Sequence, residues 1–121
     1  MARDRQKAEA KGRMAEMVAI TFLRAKGYHL LARRFKSPSG EVDLVMRKGD
    51  VTAFIEVKAR LTHDDAIISV TDIQARRISG AASHWMAKDE LANNGTCRFD
   101  IVAVNSHFLP QHIENAFDGA Y

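Results

Sequence analysis

The chain predicts an α/β fold: a mixed β-sheet flanked by helices, with its elements in the order α-β-β-β-α-β. Three observations lead there. Apolar residues recur at three- and four-residue steps from about Arg13 to Lys26, the signature of a helix. Strand-like runs follow at Tyr28 to Phe35, Val42 to Met46 and Val51 to Lys58, the last two joined as a hairpin around Arg47-Lys48-Gly49-Asp50. A second helical stripe precedes one further strand, Arg98 to Val104.

Each element has its own sequence reason. Residues 1–10 are charged and lack an apolar stripe, which predicts a flexible basic arm ahead of a single domain over 11–121. In the first helix Met14, Val18, Thr21, Phe22 and Ala25 form one stripe, and Ile20 and Leu23 lie off it, so a second side is apolar too. Glu16 shares that second side, four and seven residues before Ile20 and Leu23. Gly27 is placed to close the helix as a left-handed cap. The first strand ends in a basic cluster of Arg33, Arg34 and Lys36, and Ser37-Pro38-Ser39-Gly40 reads as a loop. Leu61 to Ile68 reads as a mobile connection. Thr71 with Gln74 has capping-box spacing and opens a helix whose buried face is Ile78, Ala81, Ala82, Trp85 and Met86. Asn93-Asn94-Gly95 is a turn, and Ile113 to Phe117, after Pro110, is expected as a short closing helix.

Composition narrows the classes. With 46% hydrophobic and 27% charged residues, the chain has the make-up of an ordinary globular domain. A net charge of +3 is compatible with a polyanionic partner without requiring one. Cys97 is the only cysteine, so no intrachain disulfide forms, as suits a reducing cytoplasm. Within a strand-like run it reads as a packed thiol. No apolar run approaches the roughly 18 residues of a membrane span, and the charged N-terminus lacks a signal-peptide core. The expectation is a cytoplasmic protein with no membrane association.

The chemistry lies in the hairpin. Glu41, Asp43, Glu56 and Lys58 interrupt two otherwise apolar strands, and an unpaired buried charge costs several kcal/mol. Glu56 and Lys58 are two apart and share a face, as do Glu41 and Asp43. If a four-residue loop over Lys48 to Val51 pairs Arg47 with Thr52, Asp43 lies opposite Glu56, within about 5 Å. A two-residue Lys48-Gly49 loop makes them diagonal neighbours, and a three-residue loop splits them across the sheet. Two carboxylates so close need a cation or a proton between them. Magnesium suits such oxygen ligands and keeps several waters. Lys58 beside it could orient an attacking water or offset developing charge. The plain alternative is a solvated Glu-Lys pair on a surface strand.

Gly40-Glu41-Val42-Asp43-Leu44-Val45 with Ile55-Glu56-Val57-Lys58-Ala59-Arg60 resembles the PD-(D/E)XK nuclease superfamily. More narrowly it resembles the YraN-like bacterial family, related to archaeal Holliday-junction resolvases. Gly12 to Ala19 is similar to that family's first-helix motif, and Arg98 to Val102 and Ile113 to Phe117 to its C-terminal signatures. The resemblance implies a restriction-endonuclease-like core and Mg2+-dependent hydrolysis of DNA, on branched or flapped structures, with Mn2+ as a substitute ion. It implies Asp43, Glu56, the Val57 carbonyl and Glu16 around the metal, Lys58 as the catalytic amine, and Gln74 facing the site. Val42 stands where the superfamily's name has proline. Phosphate contacts are expected from Arg33, Arg34, Lys36, Lys48, Arg60, Arg76 and Arg77. Pairing of two copies is a further expectation, since two strands must be cut. The competing functions are a non-catalytic nucleic-acid-binding or adaptor module on the same fold, and a nuclease acting on RNA. His63-Asp64-Asp65 lies in a loop-like stretch where consecutive side chains do not converge, and neither zinc spacing nor a phosphate-cradling glycine loop is present.

Overall fold

The computed structural model describes residues 2–59 and 62–118. Helix α1 spans Ala2–Ala25, and three strands follow in sequence: β1 (His29–Ser37), β2 (Gly40–Lys48) and β3 (Val51–Lys58). Helices α2 (His63–Ile68), α3 (Asp72–Met86) and α4 (Glu90–Asn94) lead to β4 (Thr96–Val104) and β5 (Pro110–Ile113). The five strands make one mixed sheet in sequence order. Only β3 and β4 run parallel, and α2 to α4 form the crossover between them.

Helices cover both faces of the sheet, and strand periodicity decides which side chain meets which helix. Ala53 and Ile55 of β3 join Leu44, Met46, Val102 and Val104 beneath Ala15, Ala19, Ile20 and Leu23 of α1. Phe54, between them, points the other way and packs with Val42, Val45 and Phe99 under Ile78, Ala81 and Ala82 of α3. The apolar second side of α1 read from Ile20 and Leu23 is therefore its core side, while Met14 and Met17 are half-exposed. Full burial of side chains such as Phe54, Leu44 and Ile55 contributes about 1.5–3 kcal/mol each. Continuing the alternation, Glu56 and Lys58 follow Phe54 onto the α3 side.

Gly27 ends α1 as its position predicts, with φ 98° and the Tyr28 N–H donating back to the Leu23 carbonyl. At Thr71 the capping box is complete: its hydroxyl accepts from the Gln74 N–H, and the Gln74 side chain accepts from the Thr71 N–H. The β1–β2 turn is pressed against α3. A Cβ at Gly40 would collide with the Arg77 backbone, so only glycine permits this approach.

Four expectations need correction. The stretch 1–10, expected as an arm, is helical from Ala2 and continuous with α1, its side chains exposed from Arg3 through Met14. Positions 63–68, expected as a connection, form α2, because the Thr62 hydroxyl caps it by accepting from the Asp65 N–H and Ala66 packs beneath it against Ile101 and Ala103. A short helix, α4, capped by Asp89, precedes the turn at Gly95. The closing helix expected over Ile113 to Phe117 is replaced by β5, antiparallel to β4, and a turn in which Asn115 has φ 51°. Among the described residues, no helix is long and apolar enough to cross a membrane.

Candidate active site

The β2–β3 hairpin pairs Arg47 with Thr52 and Lys48 with Val51, and its ladder runs on to Leu44 with Ile55. The next pair in that register is Asp43 with Glu56, the arrangement in which the two acids lie directly opposite. Here the strands open. The Val57 N–H donates to Asp43 Oδ2 at 2.8 Å. In an antiparallel pair the N–H and C=O of one residue face the same neighbour, so the Val57 carbonyl also faces the Asp43 side. Lys58 Nζ lies 3.4 Å from Glu56 Oε2 and donates to Gln74 Oε1 at 3.4 Å. Gln74 thus serves the capping box and the amine together.

These side chains border a cleft of about 290 Å3, lined by Glu41, Asp43, Glu56, Gln74, Arg77 and Ile78. Sequence reading placed Ile78 in the core and overlooked it as a wall of the cleft. The signal was available: Gln74, Arg77 and Ile78 stand three and four apart on α3 and so share one helix face. Burial, followed by the hydrogen bond and charge of Asp43, pushes the Glu56 carboxyl from 4.5 up to about 8, although Lys58 pulls the other way. Glu56 therefore keeps a proton at neutral pH in the metal-free protein, as expected of two carboxylates with no cation between them.

The donor set fits a small hard cation. It offers two facing carboxylates and a carbonyl turned the same way, and magnesium commonly takes one or two carboxylates and several waters. Among the described residues, no group of three His, Cys, Asp or Glu side chains could enclose a metal. Glu16 does not line the cleft. Its Oε2 accepts from Arg34 Nε at 3.2 Å, and its Oε1 lies 3.7 Å from Arg33 Nη2, buried and without a hydrogen-bond partner.

The basic residues divide by position. Arg77 borders the cleft and pairs with Glu41 at 3.6 Å. Arg33 and Arg34 lie on β1, Arg34 between the pairs Arg33–Leu44 and Phe35–Val42 and therefore abreast of Asp43. Lys36 and Arg76 are exposed. Lys48 sits at the hairpin turn over the Tyr28 ring, five residues along β2 from Asp43 or roughly 17 Å, so the fold does not bring it to the cleft. Arg60 lies outside the described residues.

The family model of the Uncharacterised protein family UPF0102 matches residues 15–104 of this chain. Relatives bearing the name UPF0102 protein align over nearly their whole lengths. One from Paramagnetospirillum magneticum is 48% identical over 120 residues, covering 95% of this chain and 92% of its own. One from Rhodopseudomonas palustris is 45% identical, covering 97% and 91%. One from Chelativorans is 43% identical, covering 93% and 91%. The chain belongs to UPF0102.

This is the YraN-like family of the resemblance, and the UPF0102 match takes in Glu16, Asp43, Glu56, Lys58 and Gln74. It also takes in a second buried carboxylate that sequence reading left without a role. Asp100, fully buried on β4, accepts two hydrogen bonds from Arg98 at 2.8 Å and one from the Asn115 N–H at 3.0 Å, and lies 2.8 Å from His112 Nε2. Burial pushes its pKa up, but His112, Arg98 and the Asn115 N–H outweigh it and hold the carboxyl below its usual range. Arg98 also donates to the Tyr28 hydroxyl at 2.6 Å, and Lys26 Nζ lies 2.7 Å from His112 Nδ1. The network clasps the end of α1 and β5 onto β4. The sequence signal was an aspartate within an apolar strand.

Proposed function

We propose that this UPF0102 protein is a metal-dependent phosphodiesterase acting on DNA, built as a PD-(D/E)XK nuclease with a restriction-endonuclease-like core. One observation carries the reading: Asp43 and Glu56 face each other across a strand pair that opens at that point, with the Lys58 amine 3.4 Å from Glu56. A resident Mg2+ held by Asp43, Glu56 and the Val57 carbonyl would supply Lewis-acid stabilisation and a water of lowered pKa. The residues of the chain do the rest. Lys58, steadied by Gln74, places a positive charge beside the reacting phosphate and can hold a proton of the attacking water. Glu56, whose carboxyl is raised to about 8 by burial and Asp43, would give up its proton to ligate the cation. Arg77, at the rim, is placed to hold the substrate backbone. Among the described residues no helix carries a cluster of base-reading side chains, so the substrate would be chosen by shape. Branched or flapped DNA fits that mode.

The test is direct. Purified protein with magnesium is mixed with labelled linear, flapped and four-way DNA and with an RNA duplex, and Asp43→Ala and Lys58→Ala are compared with it. The expected result is cleavage of DNA that falls about 10²-fold or more in each variant. Cleavage that persists unchanged in both variants would refute the assignment. Metal-independent binding without any cleavage would mark the chain as a nucleic-acid-binding module.

A further inference from the structure

We propose that Glu16 is an internal stand-in for a nucleic-acid phosphate: its carboxylate occupies a fork made by Arg33 and Arg34 until a backbone phosphate takes its place. The inference rests on the nucleic-acid reading of the cleft and adds a phosphate subsite beyond it, one that substrate opens by displacing Glu16.

Arg33 and Arg34 are consecutive on β1, and consecutive side chains on a regular strand point to opposite faces. Both nevertheless reach one carboxylate, Arg33 Nη2 at 3.7 Å from Oε1 and Arg34 Nε at 3.2 Å from Oε2. The reason is the backbone: Arg34 has φ 50° in mid-strand, a left-handed conformation that a non-glycine residue adopts only under constraint. The distortion turns two neighbouring guanidinium groups toward the same anion.

The exposures show which partner is replaceable. The Glu16 side chain is 12% exposed, whereas Arg33 and Arg34 are 42% and 49% exposed. The fork is thus open to solvent on its outer side. Its inner occupant is poorly served, because Oε1 is buried and receives no hydrogen bond among the described residues. A phosphodiester, like a carboxylate, shares one negative charge over two oxygens that guanidinium donors can bind, and it keeps access to water. Arg34 stands abreast of Asp43, one strand away, about 5 Å in the hydrogen-bonding direction. A phosphate in the fork would lie on the strand beside the one that carries Asp43, with Glu16 reaching it from α1 while α3 walls the cleft. Its arrival would free the Glu16 carboxylate from the two guanidinium groups.

The experiment measures binding without cleavage. A labelled four-way DNA is titrated in EDTA at several salt concentrations with the wild type, Glu16→Gln, the double variant Arg33→Ala/Arg34→Gly (glycine keeps the left-handed backbone accessible) and the triple combination. Glu16→Gln should bind roughly threefold more tightly or better, and the double variant should lose roughly 0.9 in the slope of log K against log salt for each phosphate contact removed. In the double-variant background Glu16→Gln should change nothing. Equal tightening in both backgrounds, which simple loss of a negative charge would give, overturns the proposal, as does weaker binding by Glu16→Gln. Should melting curves show that Glu16→Gln does not fold, the slope of the double variant decides alone, and an unchanged slope overturns the fork. Failure of the nuclease reading is separable: wild-type protein that never cleaves with magnesium removes that reading, while the Glu16 and arginine coupling in EDTA still stands or falls by itself.

Discussion

At the level of single residues, the carboxyl of Glu56 couples folding to pH. Its pKa rises from 4.5 to about 8 on folding, through burial first and Asp43 second. The folded state then holds a proton that the unfolded chain has released. The stability tied to this group is complete below pH 4.5 and is lost as pH climbs through about 8. In EDTA, thermal melts followed by circular dichroism should show the wild type losing on the order of a few kcal/mol between pH 5 and 9 from this group. Glu56→Gln should lose visibly less over the same range, and magnesium should raise the wild-type midpoint most at the alkaline end, where the ion no longer competes with a proton. Parallel melting profiles for the two proteins would contradict the raised Glu56 carboxyl. The facing of Asp43 and Glu56 was legible in the sequence, because strand alternation and a short loop allow few registers. The tie between Glu16 and two adjacent arginines was not, because it depends on one backbone angle at Arg34 that composition does not encode.

Among the elements, the cleft exists because a turn docks onto a helix. Gly40 lets the β1–β2 turn approach α3 at Arg77, which sets the distance between Asp43 on β2 and the Gln74–Arg77–Ile78 wall. Gly40→Ala should therefore destabilise the protein by about 1–3 kcal/mol in urea titrations, as overpacking does. Gly12→Ala, in exposed helix with nothing near its added methyl, should stabilise it by up to about 1 kcal/mol. Equal effects would show that the approach at Arg77 is slack. Strong local signals made the long elements readable: the α1 stripe, the Thr71–Gln74 cap and the hairpin. The short ones escaped for physical reasons. Helix α2 has six residues, too few for a periodic pattern, and depends on Ala66 meeting β4. Strand β5 has four residues and exists through its pairing with β4, a partner that its own sequence does not announce.

For the molecule as a whole, the Asp100 network joins what would otherwise be loose ends. It links β4 to Tyr28 and Lys26 after α1 and to His112 and Asn115 around β5. Asp100→Asn removes the buried carboxylate from Arg98, leaving it only the exposed Glu114 at 3.8 Å, and should cost about 3–5 kcal/mol in chemical denaturation. Because the folded Asp100 pKa is lowered, its contribution is present above the unfolded value and vanishes as acid titrates the folded group. The variant should accordingly show a flatter acid limb than the wild type, and an unchanged limb would place the stabilising contacts elsewhere. The two outer strands carry a last consequence. Among the described residues β1 and β5 border the five-stranded sheet, and a sheet border offers backbone groups on which foreign chains can stack. One border is a four-residue strand that begins with a proline, and the other is charged with Arg33, Arg34 and Lys36 and bent by a register slip near Leu30 and by the twist at Arg34. Such borders discourage sheet-to-sheet aggregation, so the same irregular strand that turns two guanidinium groups onto Glu16 also makes a poor template for a foreign chain.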